Sequence, residues 1–370
     1  MSLRRCPRCQ TTYPIPARYC VKDGSPLVDV EATATFAPPA RPPIRPFPPP
    51  RPAPAPPPTA LDELALPGDE HDRYATLSGK LLDGRYQVGP RLGEGGMSYV
   101  YRAQDTETGQ RVAVKILLPR LSRDPSAVER LRREAGIAMK LQHPNVCPIL
   151  RMGETDRTIY LVMPYLEGEP LSEHESRRGP MSVAEGIPLL LQMTGGLGHA
   201  HELNIIHRDL KPENVMLVPD GIDEHRNAKF KAVVMDFGLA KERRAAPEMA
   251  KLTATGIVLG TPEFMSPEQI RGKPLDGRSD VYALGILAFE MFTGQLPFAG
   301  KTAQETMIAR LKGSPAKLRD LKPDLPAKLE AVILKCLAID PAERYQNMEE
   351  LGFAFEGVVS TGVFGRLFRR

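Results

Sequence analysis

The chain has 370 residues, a length that suits one large catalytic domain with an appendage. Hydrophobic residues make up 42% and charged residues 25%, the balance of a soluble globular protein rather than of a fibrous or disordered one. The formal net charge of +4 gives no reason to expect nucleic acid as a partner, and no apolar run reaches the roughly 18 residues of a transmembrane segment.

Three of the five cysteines lie near the N-terminus. Cys6 and Cys9 are separated by two residues, and Cys20 and Asp23 repeat that spacing, as in a zinc ribbon with an altered second half. Because Zn²⁺ accepts carboxylate oxygen as well as thiolate, a Cys3Asp tetrahedron is chemically reasonable. We therefore predict a zinc-ribbon-like module over residues 1–29. The alternatives are a ribbon relic without metal and a redox-active thiol group.

Proline dominates the next segment, residues 30–75, most densely over 36–58. Such a sequence cannot pair its backbone or bury an apolar face, so it is predicted to be a linker with polyproline II character. P-x-x-P spacings leave an SH3-type ligand open as an alternative. The N-terminal module and this linker are the candidates for binding a protein partner.

From residue 76 to residue 358 the pattern is that of a globular domain. Short β-type runs at 86–93, 99–104 and 112–117 are separated by glycine-rich or polar turns. Helical spacing of apolar residues follows at 126–141, 182–203 and 280–293. A β-rich half therefore precedes an α-rich half, which indicates an α+β fold. Residues 359–370 form a short basic tail, either a frayed end or a membrane-surface contact.

Two charged residues follow a glycine-rich turn in the β-rich half. Residues 92–100, LGEGGMSYV, contain Gly93 and Gly95, and glycine lets backbone N–H groups approach phosphate oxygens. Lys115 interrupts the apolar strand VAVK, and a buried ammonium needs an anionic partner. That partner could be a phosphate, and also Glu134 of the next helix, for which a solvated position is the alternative.

Polar residues follow apolar runs in two segments and are expected to lie in turns. The segments are 206–215, IHRDLKPENV, and 233–239, VVMDFGL. Asp209, Asn214 and Asp236 supply hard oxygen ligands of the kind that Mg²⁺ prefers. Asp209 also has Lys211 two residues on, and a carboxylate beside a cation stays ionised and can accept a hydroxyl proton.

With HRDLKPEN, DFG and VAVK in this order, the chain resembles a eukaryotic-type Ser/Thr protein kinase of the kind found in bacteria. The resemblance implies the bilobal protein kinase fold, with a β-rich N-lobe of one main helix over about 84–166 and a mostly helical C-lobe over about 167–358. It also implies ATP carried by Mg²⁺, with Mn²⁺ as a substitute, and protein substrates.

The resemblance also implies roles for individual residues. Asp209 would orient and deprotonate the attacking hydroxyl, Lys211 would offset charge on the transferring phosphoryl group, and Lys115 would hold the α- and β-phosphates while paired with Glu134. Magnesium would be held by Asn214 and Asp236. Nucleotide-binding positions would be Leu92, Gly93, Glu94, Gly95, Val100, Ala113, Lys115, Met163, Tyr165, Leu166, Asn214 and Asp236. Ser98 stands where the family has its third glycine, and Pro164 where the hinge usually has glutamate.

The family pattern extends to the C-lobe. Residues 260–268, GTPEFMSPE, resemble the peptide-docking segment, with Ser266 in place of the usual alanine. Glu268 is expected to pair with Arg344 and Asp280 to brace the catalytic loop, while His207 is expected to be structural rather than a base. Arg208 would bind a phosphate on the activation loop, for which Thr253 and Thr255 are candidates; an unmodified loop is the alternative.

Two other function classes fit parts of the pattern. A pseudokinase scaffold is disfavoured because Lys115, Asp209, Asn214 and Asp236 are all present. A small-molecule kinase of similar fold is disfavoured by Lys211 and the peptide-docking segment. We therefore expect a cytoplasmic Ser/Thr protein kinase that acts in intracellular signalling.

Overall fold

The chain divides into two compact units, Met1–Leu64 and Ala65–Arg370, in a computed structural model. The structure describes residues 3–5, 12–14, 28–29, 77–95, 98–117, 125–155, 158–222, 228–237, 262–298, 300, 302–313 and 315–360. The division between the units falls within the predicted linker, 30–75, and that segment lies outside the described residues. The assignment of the linker therefore stays a prediction.

The first unit contains three short strands, β1 Leu3–Arg5, β2 Thr12–Pro14 and β3 Val28–Asp29. They form one antiparallel sheet in the order β2-β1-β3. The four predicted zinc ligands, Cys6, Cys9, Cys20 and Asp23, lie outside the described residues.

A six-stranded antiparallel sheet forms the first part of the second unit, in the order β4-β5-β6-β7-β9-β8. Its strands are β4 Leu81–Leu82, β5 Tyr86–Gly95, β6 Ser98–Asp105, β7 Arg111–Leu117, β8 Arg151–Thr155 and β9 Thr158–Pro164. The three strands predicted from sequence are present, each longer by one or two residues. Alternate residues of the strands bury one face of the sheet in an apolar core that includes Tyr101, Val114 and Val162.

Helices dominate the rest of the unit: α1 Pro125–Ala138, α2 Leu171–Arg178, α3 Val183–Glu202, α4 Pro267–Ile270, α5 Gly277–Thr293, α6 Ala303–Lys312, α7 Leu318–Leu321, α8 Ala327–Cys336 and α9 Met348–Ser360. A small sheet of β10 Glu169–Pro170, β11 Val215–Ile222 and β12 Ala228–Val234 lies among them. The β-rich and helical halves expected from sequence are therefore confirmed.

Helix α5 is the centre of the helical core. Every residue from Ser279 to Phe289 is buried, and an all-round apolar helix of this kind belongs in the interior. The side chain of Asp276 caps its first turn, and Gly294 at φ 71° ends it, a conformation that costs glycine little. One polar residue of this helix, Asp280, is buried with the rest and requires partners.

In the part of the chain that the structure describes, no helix is both long and apolar enough to cross a bilayer. Cys147 and Cys336 are buried, as their apolar surroundings predicted. Burial, together with the charge of Asp236, raises the pKa of the Cys147 thiol to about 12. Residues 361–370 of the predicted basic tail lie outside the described residues.

Candidate active site

One face of the N-lobe sheet carries four of the predicted nucleotide-binding residues. Val100 pairs with Lys115, and Ala113 pairs with Met163. Directly paired residues share a face, as do Ala113 and Lys115 two residues apart, so all four project from the same side. They are half-buried, whereas the alternate residues of β7 are fully buried on the other side. The half-buried face is therefore the candidate surface for a nucleotide.

The glycine-rich segment is a hairpin between β5 and β6. Gly93 pairs with Val100 and Gly95 with Ser98, while Gly96 and Met97 at the tip lie outside the described residues. A Cβ built on Gly93 would meet nothing within 4 Å, so packing does not require glycine there. Because glycine has no side chain, the backbone at Gly93 is instead left uncovered above the sheet. Leu92 and Glu94 flank it with exposed side chains, and Glu94 Oε2 lies 3.3 Å from Arg91 Nη1.

Lys115 reaches across the cleft between the lobes. Its Nζ lies 2.7 Å from Asp236 Oδ1, and the Lys115 side chain is 18% exposed. The backbone of Asp236 adopts φ 57°, a left-handed conformation that non-glycine residues rarely take and that clusters at functional sites. Glu134 is half-buried on α1. The structure thus brings the predicted phosphate-binding lysine to a predicted metal ligand, and the pairing of Lys115 with Glu134 stays a prediction.

Two backbone contacts attach the strand before Asp236 to the segment that follows α1. The N–H of Cys147 donates to the carbonyl of Val234 at 2.9 Å, and the N–H of Val234 donates to the carbonyl of Asn145 at 2.9 Å. The Asn145 side chain also donates to the carbonyl of Ala232 at 2.8 Å. These bonds fix the approach of Asp236 to the cleft.

The predicted hinge follows β9. Pro164 is the last residue of that strand and is paired with Val112. The N–H of Tyr165 donates to the carbonyl of Arg111 at 3.3 Å. Met163, Tyr165 and Leu166 are half-buried, so the segment lies at the border of the cleft where an adenine ring would meet its backbone.

The catalytic loop holds Asp209 and Asn214 together. The Asn214 amide nitrogen donates to the Asp209 carbonyl at 2.7 Å and lies 3.3 Å from Asp209 Oδ2. Because Nδ2 is used in this way, Oδ1 is the atom of buried Asn214 that can ligate a metal. The N–H of Met235 donates to the carbonyl of Asn214 at 2.8 Å, which joins the loop to the residue before Asp236. Lys211 is half-buried in the same loop.

Asp280 anchors this loop from below, as expected from sequence. Its carboxylate accepts from the N–H of His207 at 2.8 Å, from the N–H of Arg208 at 3.0 Å and from His201 Nε2 at 2.8 Å. Burial alone would raise the pKa of this carboxyl. The hydrogen bond and charge of His201 and the hydrogen bond from the His207 backbone N–H outweigh burial and hold the pKa of this carboxyl below its ordinary value.

His207 has both ring nitrogens occupied. Nε2 donates to the carbonyl of Met235 at 2.7 Å, and Nδ1 accepts from the N–H of Asp209 at 3.3 Å. The ring contacts Phe237 edge-on, with centroids 4.7 Å apart, and is fully buried. This imidazole has no free atom with which to take a substrate proton, so the expected structural role is confirmed.

The pair of Glu268 and Arg344 is also confirmed. Two guanidinium nitrogens of Arg344 donate to the two carboxylate oxygens at 2.7 and 2.8 Å, and the Ser279 hydroxyl donates to Oε1 at 2.7 Å. Both charged residues are buried, which favours a bidentate pair with every lone pair used. Burial alone would raise the pKa of Glu268, but the hydrogen bonds of Arg344 and Ser279 and the Arg344 charge lower it.

Sequence reasoning missed Gln269, the residue after Glu268. Its Nε2 donates to the carbonyl of Arg208, directly before Asp209, at 2.8 Å. The pattern Ser266-Pro267-Glu268-Gln269 is a capping box with proline at the first helical position, and it could have indicated the cap. No local pattern indicates the contact with the catalytic loop. Thr253 and Thr255 lie outside the described residues, so the predictions made for them stay predictions.

The donor set suits a metal that arrives with a nucleotide. In the described part of the chain, no group of three or more His, Cys, Asp or Glu side chains could hold a metal alone. One amide oxygen and one carboxylate, from Asn214 and Asp236, instead leave most positions of an octahedral ion to phosphate oxygens and water. That is the usual arrangement of Mg²⁺ in nucleotide-dependent enzymes.

Comparison with known proteins gives the family. Residues 86–353 match the protein kinase domain family. The chain is 38% identical over 275 residues to the serine/threonine-protein kinase PrkC of Bacillus subtilis, covering 74% of this chain and 40% of that protein. It is 38% identical over 274 residues to the serine/threonine-protein kinase PknB of Mycobacterium tuberculosis, covering 73% and 42%. The chain thus matches less than half the length of these relatives.

A solved structure agrees with both lobes. The kinase domain of PknI from Mycobacterium tuberculosis, as a C20A mutant, superposes with a TM-score of 0.59 at 28% identity, over 76% of this chain and 98% of that one. A protein kinase domain of this kind uses ATP, a divalent metal and protein substrates. The chain therefore belongs to the protein kinase family and carries a serine/threonine kinase domain of the bacterial type.

Proposed function

We propose that this protein transfers the γ-phosphoryl group of Mg-ATP to Ser or Thr hydroxyls of proteins. The observation that carries the proposal is the convergence of groups from distant segments on one cleft. Lys115 Nζ lies 2.7 Å from Asp236 Oδ1, and the Asn214 amide lies 3.3 Å from Asp209 Oδ2. A cation, two carboxylates and an amide at one place are what phosphoryl transfer requires, since catalysis there is mostly positioning and charge stabilisation.

Each residue of the site has a role that follows from its chemistry. Bound Mg-ATP supplies the transferable phosphoryl group and the positive charge that screens it. Lys115 binds the phosphates, with Glu134 as its counter-ion, and Asn214 and Asp236 hold the metal. Asp209 accepts the hydroxyl proton, and Lys211 offsets negative charge as it develops. The half-buried sheet face and residues 163–166 hold the adenine.

The Lys115–Asp236 contact gives this assignment a physical consequence. An ammonium and a carboxylate 2.7 Å apart satisfy each other while no nucleotide is bound. In the complex, Asp236 would hold the metal and Lys115 would bind the phosphate oxygens, so that each charge would have a partner there as well.

The decisive experiment compares the wild type with Asp209→Asn. Purified full-length protein is incubated with magnesium, labelled ATP and a generic protein substrate. Asp220→Asn is a matched control, because Asp220 is exposed on β11. We expect label with the wild type and with the control, and a loss of at least about 10³-fold for Asp209→Asn. Intact ATP binding without any transfer by the wild type would instead support the scaffold alternative.

We further propose that the kinase acts in the cytoplasm and is activated by autophosphorylation of Thr253 or Thr255. Arg208 beside Asp209 provides the cation that such a phosphate would bind. Mass spectrometry of protein incubated with Mg-ATP should find phosphate on one of these threonines, and Asp209→Asn should carry none. Active protein with both threonines unmodified would contradict this mechanism.

We also propose that the N-terminal module binds zinc. In chain order, Cys6 and Cys9 lie between β1 and β2, and Cys20 and Asp23 lie between β2 and β3. Ligand pairs between strands of one small sheet suit a tetrahedral structural site. Metal analysis should find zinc in the full-length protein and in Asp29→Asn, and should find it lost in Cys20→Ser with kinase activity retained. Zinc-free wild-type protein would remove this proposal.

A further inference from the structure

The peptide group between Arg208 and Asp209 is held at both of its polar ends. Its N–H, which belongs to Asp209, donates to His207 Nδ1 at 3.3 Å. Its carbonyl, which belongs to Arg208, accepts from Gln269 Nε2 at 2.8 Å. The orientation of this peptide plane determines where the Asp209 side chain begins. Two side chains from different parts of the chain therefore fix the base of the predicted catalytic carboxylate.

The backbone here needs that support. Arg208 has φ 65°, in the left-handed region that side chains rarely occupy. Such a conformation persists only where the surroundings over-determine it. Asp280 holds the N–H of Arg208 at 3.0 Å, and Gln269 holds the carbonyl of the same residue. With the carbonyl released, the Arg208–Asp209 peptide group would lose its 2.8 Å bond to Gln269 and keep the longer bond to His207.

The orientation of the Gln269 carboxamide follows from its two partners. Oε1 accepts from the N–H of Ser266 at 2.8 Å and from the Ser266 hydroxyl at 3.1 Å. Nε2 faces the Arg208 carbonyl, which can only accept. Reversing the amide would place two acceptors together at one end and two donors together at the other. The assignment of nitrogen and oxygen is therefore unambiguous.

The cap alone does not explain a glutamine at this position. In a capping box, the third helical residue only needs an oxygen that accepts from the N-cap backbone, and glutamate serves as well as glutamine. The donor nitrogen is needed only for the contact with Arg208. Ser266 has a related role, since its hydroxyl accepts from the Gln269 N–H at 3.4 Å and completes the cap. The serine that replaces the family's alanine thus fixes the glutamine in place.

We propose that Gln269 is a positioning residue for Asp209, acting through the Arg208 carbonyl. The inference rests on the proposed phosphoryl transfer. Gln269 lies directly after the segment that resembles the peptide-docking region, and its neighbour Glu268 is anchored in the helical core by Arg344. The same short helix therefore joins the docking segment to the catalytic loop. Displacement of that helix removes a hydrogen bond one residue from the reacting carboxylate.

The sharpest test is Gln269→Glu in the full-length protein. Glutamate keeps the acceptor for Ser266, puts an acceptor in place of the donor to Arg208 and adds a negative charge, for which the uncharged Gln269→Met is the comparison. We expect kcat to fall about tenfold, the effect that the loss of one hydrogen bond in the transition state would produce. KM for ATP should stay within about twofold of the wild-type value. The thermal midpoint should stay close to that of the wild type, because the cap is intact.

Two variants separate positioning from stability. Ser266→Ala loses the hydroxyl cap but keeps the Gln269 donor, so its thermal midpoint should fall while kcat falls clearly less than in Gln269→Glu. Gln269→Met is uncharged and loses both contacts, so it should combine the loss of kcat with a lower thermal midpoint. Equal losses of kcat in Ser266→Ala and Gln269→Glu would show that the residue is only part of a cap.

A second readout does not depend on activity. Amide hydrogen exchange of the peptide that contains residues 207–210 should be faster in Gln269→Glu than in the wild type, and the increase should be smaller in Ser266→Ala. If the wild type transferred no phosphate, the proposed function would fail, and the exchange comparison would still decide whether Gln269 holds the loop. Unchanged exchange and unchanged kcat in Gln269→Glu would overturn the inference.

Discussion

The two lobes hold their charged residues in different ways. Two ion pairs at the N-lobe surface are exposed: Arg132 with Glu154 has side chains 53% and 43% exposed, and Arg111, which reaches Glu167 at the start of the C-lobe, has 58% and 62%. A third N-lobe pair, Arg85 with Asp105, is more buried, at 24% and 7%. In the C-lobe, Glu268 with Arg344 has 7% and 0%, and the Asp280 side chain is 1% exposed. Exposed pairs contribute little to stability, whereas a buried pair is costly to break. The buried charged groups of the C-lobe therefore form a fixed support for the catalytic loop, whereas the two exposed pairs at the N-lobe surface can adjust.

The largest expected effect comes from removing the buried anchor of the platform. Asp280→Ala leaves the His207 and Arg208 N–H groups and His201 without their acceptor. We expect a loss of about 3–5 kcal/mol in the free energy of unfolding, from urea titrations, and a fall in kcat of at least about 100-fold. Asp324→Asn is the control, because Asp324 is exposed. Near-normal kcat would mean that the loop holds its shape without Asp280.

Breaking the Glu268–Arg344 pair should cost slightly less and act mainly on stability. Glu268→Ala leaves a buried guanidinium without its carboxylate, although Arg344 keeps hydrogen bonds to the carbonyls of Ala338, Ile339 and Arg278. We expect about 3 kcal/mol of destabilisation by urea titration, against no measurable change for the exposed control Glu349→Ala. A change below about 1 kcal/mol would contradict the contrast between the lobes.

Some buried carboxyl groups of the C-lobe have no cationic partner among the described residues. The free energy of unfolding should therefore depend on pH. Burial, followed by the charges of Glu290 and Glu213, raises the pKa of Glu175 to about 8. A raised pKa in the folded state means that stability is full at low pH and is lost as pH rises towards that value. Glu175→Gln should therefore unfold with about 1–2 kcal/mol more free energy than the wild type at pH 9 and show no gain at pH 5. A gain that is equal at both pH values would exclude titration of Glu175.

The smallest effects are expected at the N-lobe surface. Arg132→Ala and Arg111→Ala should each change the free energy of unfolding by less than about 1 kcal/mol. Salt should reduce even that difference, because exposed charges are screened. Urea titrations at low and high salt provide the measurement. A loss of about 3 kcal/mol at either site would remove the distinction between the lobes.

The elements of the kinase domain were predictable because their signals are local. An apolar run interrupted by Lys115 indicated β7, and the apolar run of α5 indicated a helix. The motif residues were also predictable, since Asp209, Asn214 and Asp236 stand at the ends of such runs. The contact of Lys115 with Asp236 could not be predicted from the sequence, because it depends on how the lobes meet across the cleft. Gln269 was missed for the same reason, as its partner Arg208 lies 61 residues away.

The protonated state of the buried thiols has a practical consequence. With its pKa raised to about 12, Cys147 holds almost no thiolate at neutral pH, and burial raises the pKa of Cys336 to about 12 as well. Maleimide or iodoacetamide reagents should therefore spare the folded catalytic domain and label only within the first twenty residues. Labelling of Cys6, Cys9 and Cys20 would then test the zinc site that we propose for the N-terminal module, because bound metal would protect these thiols.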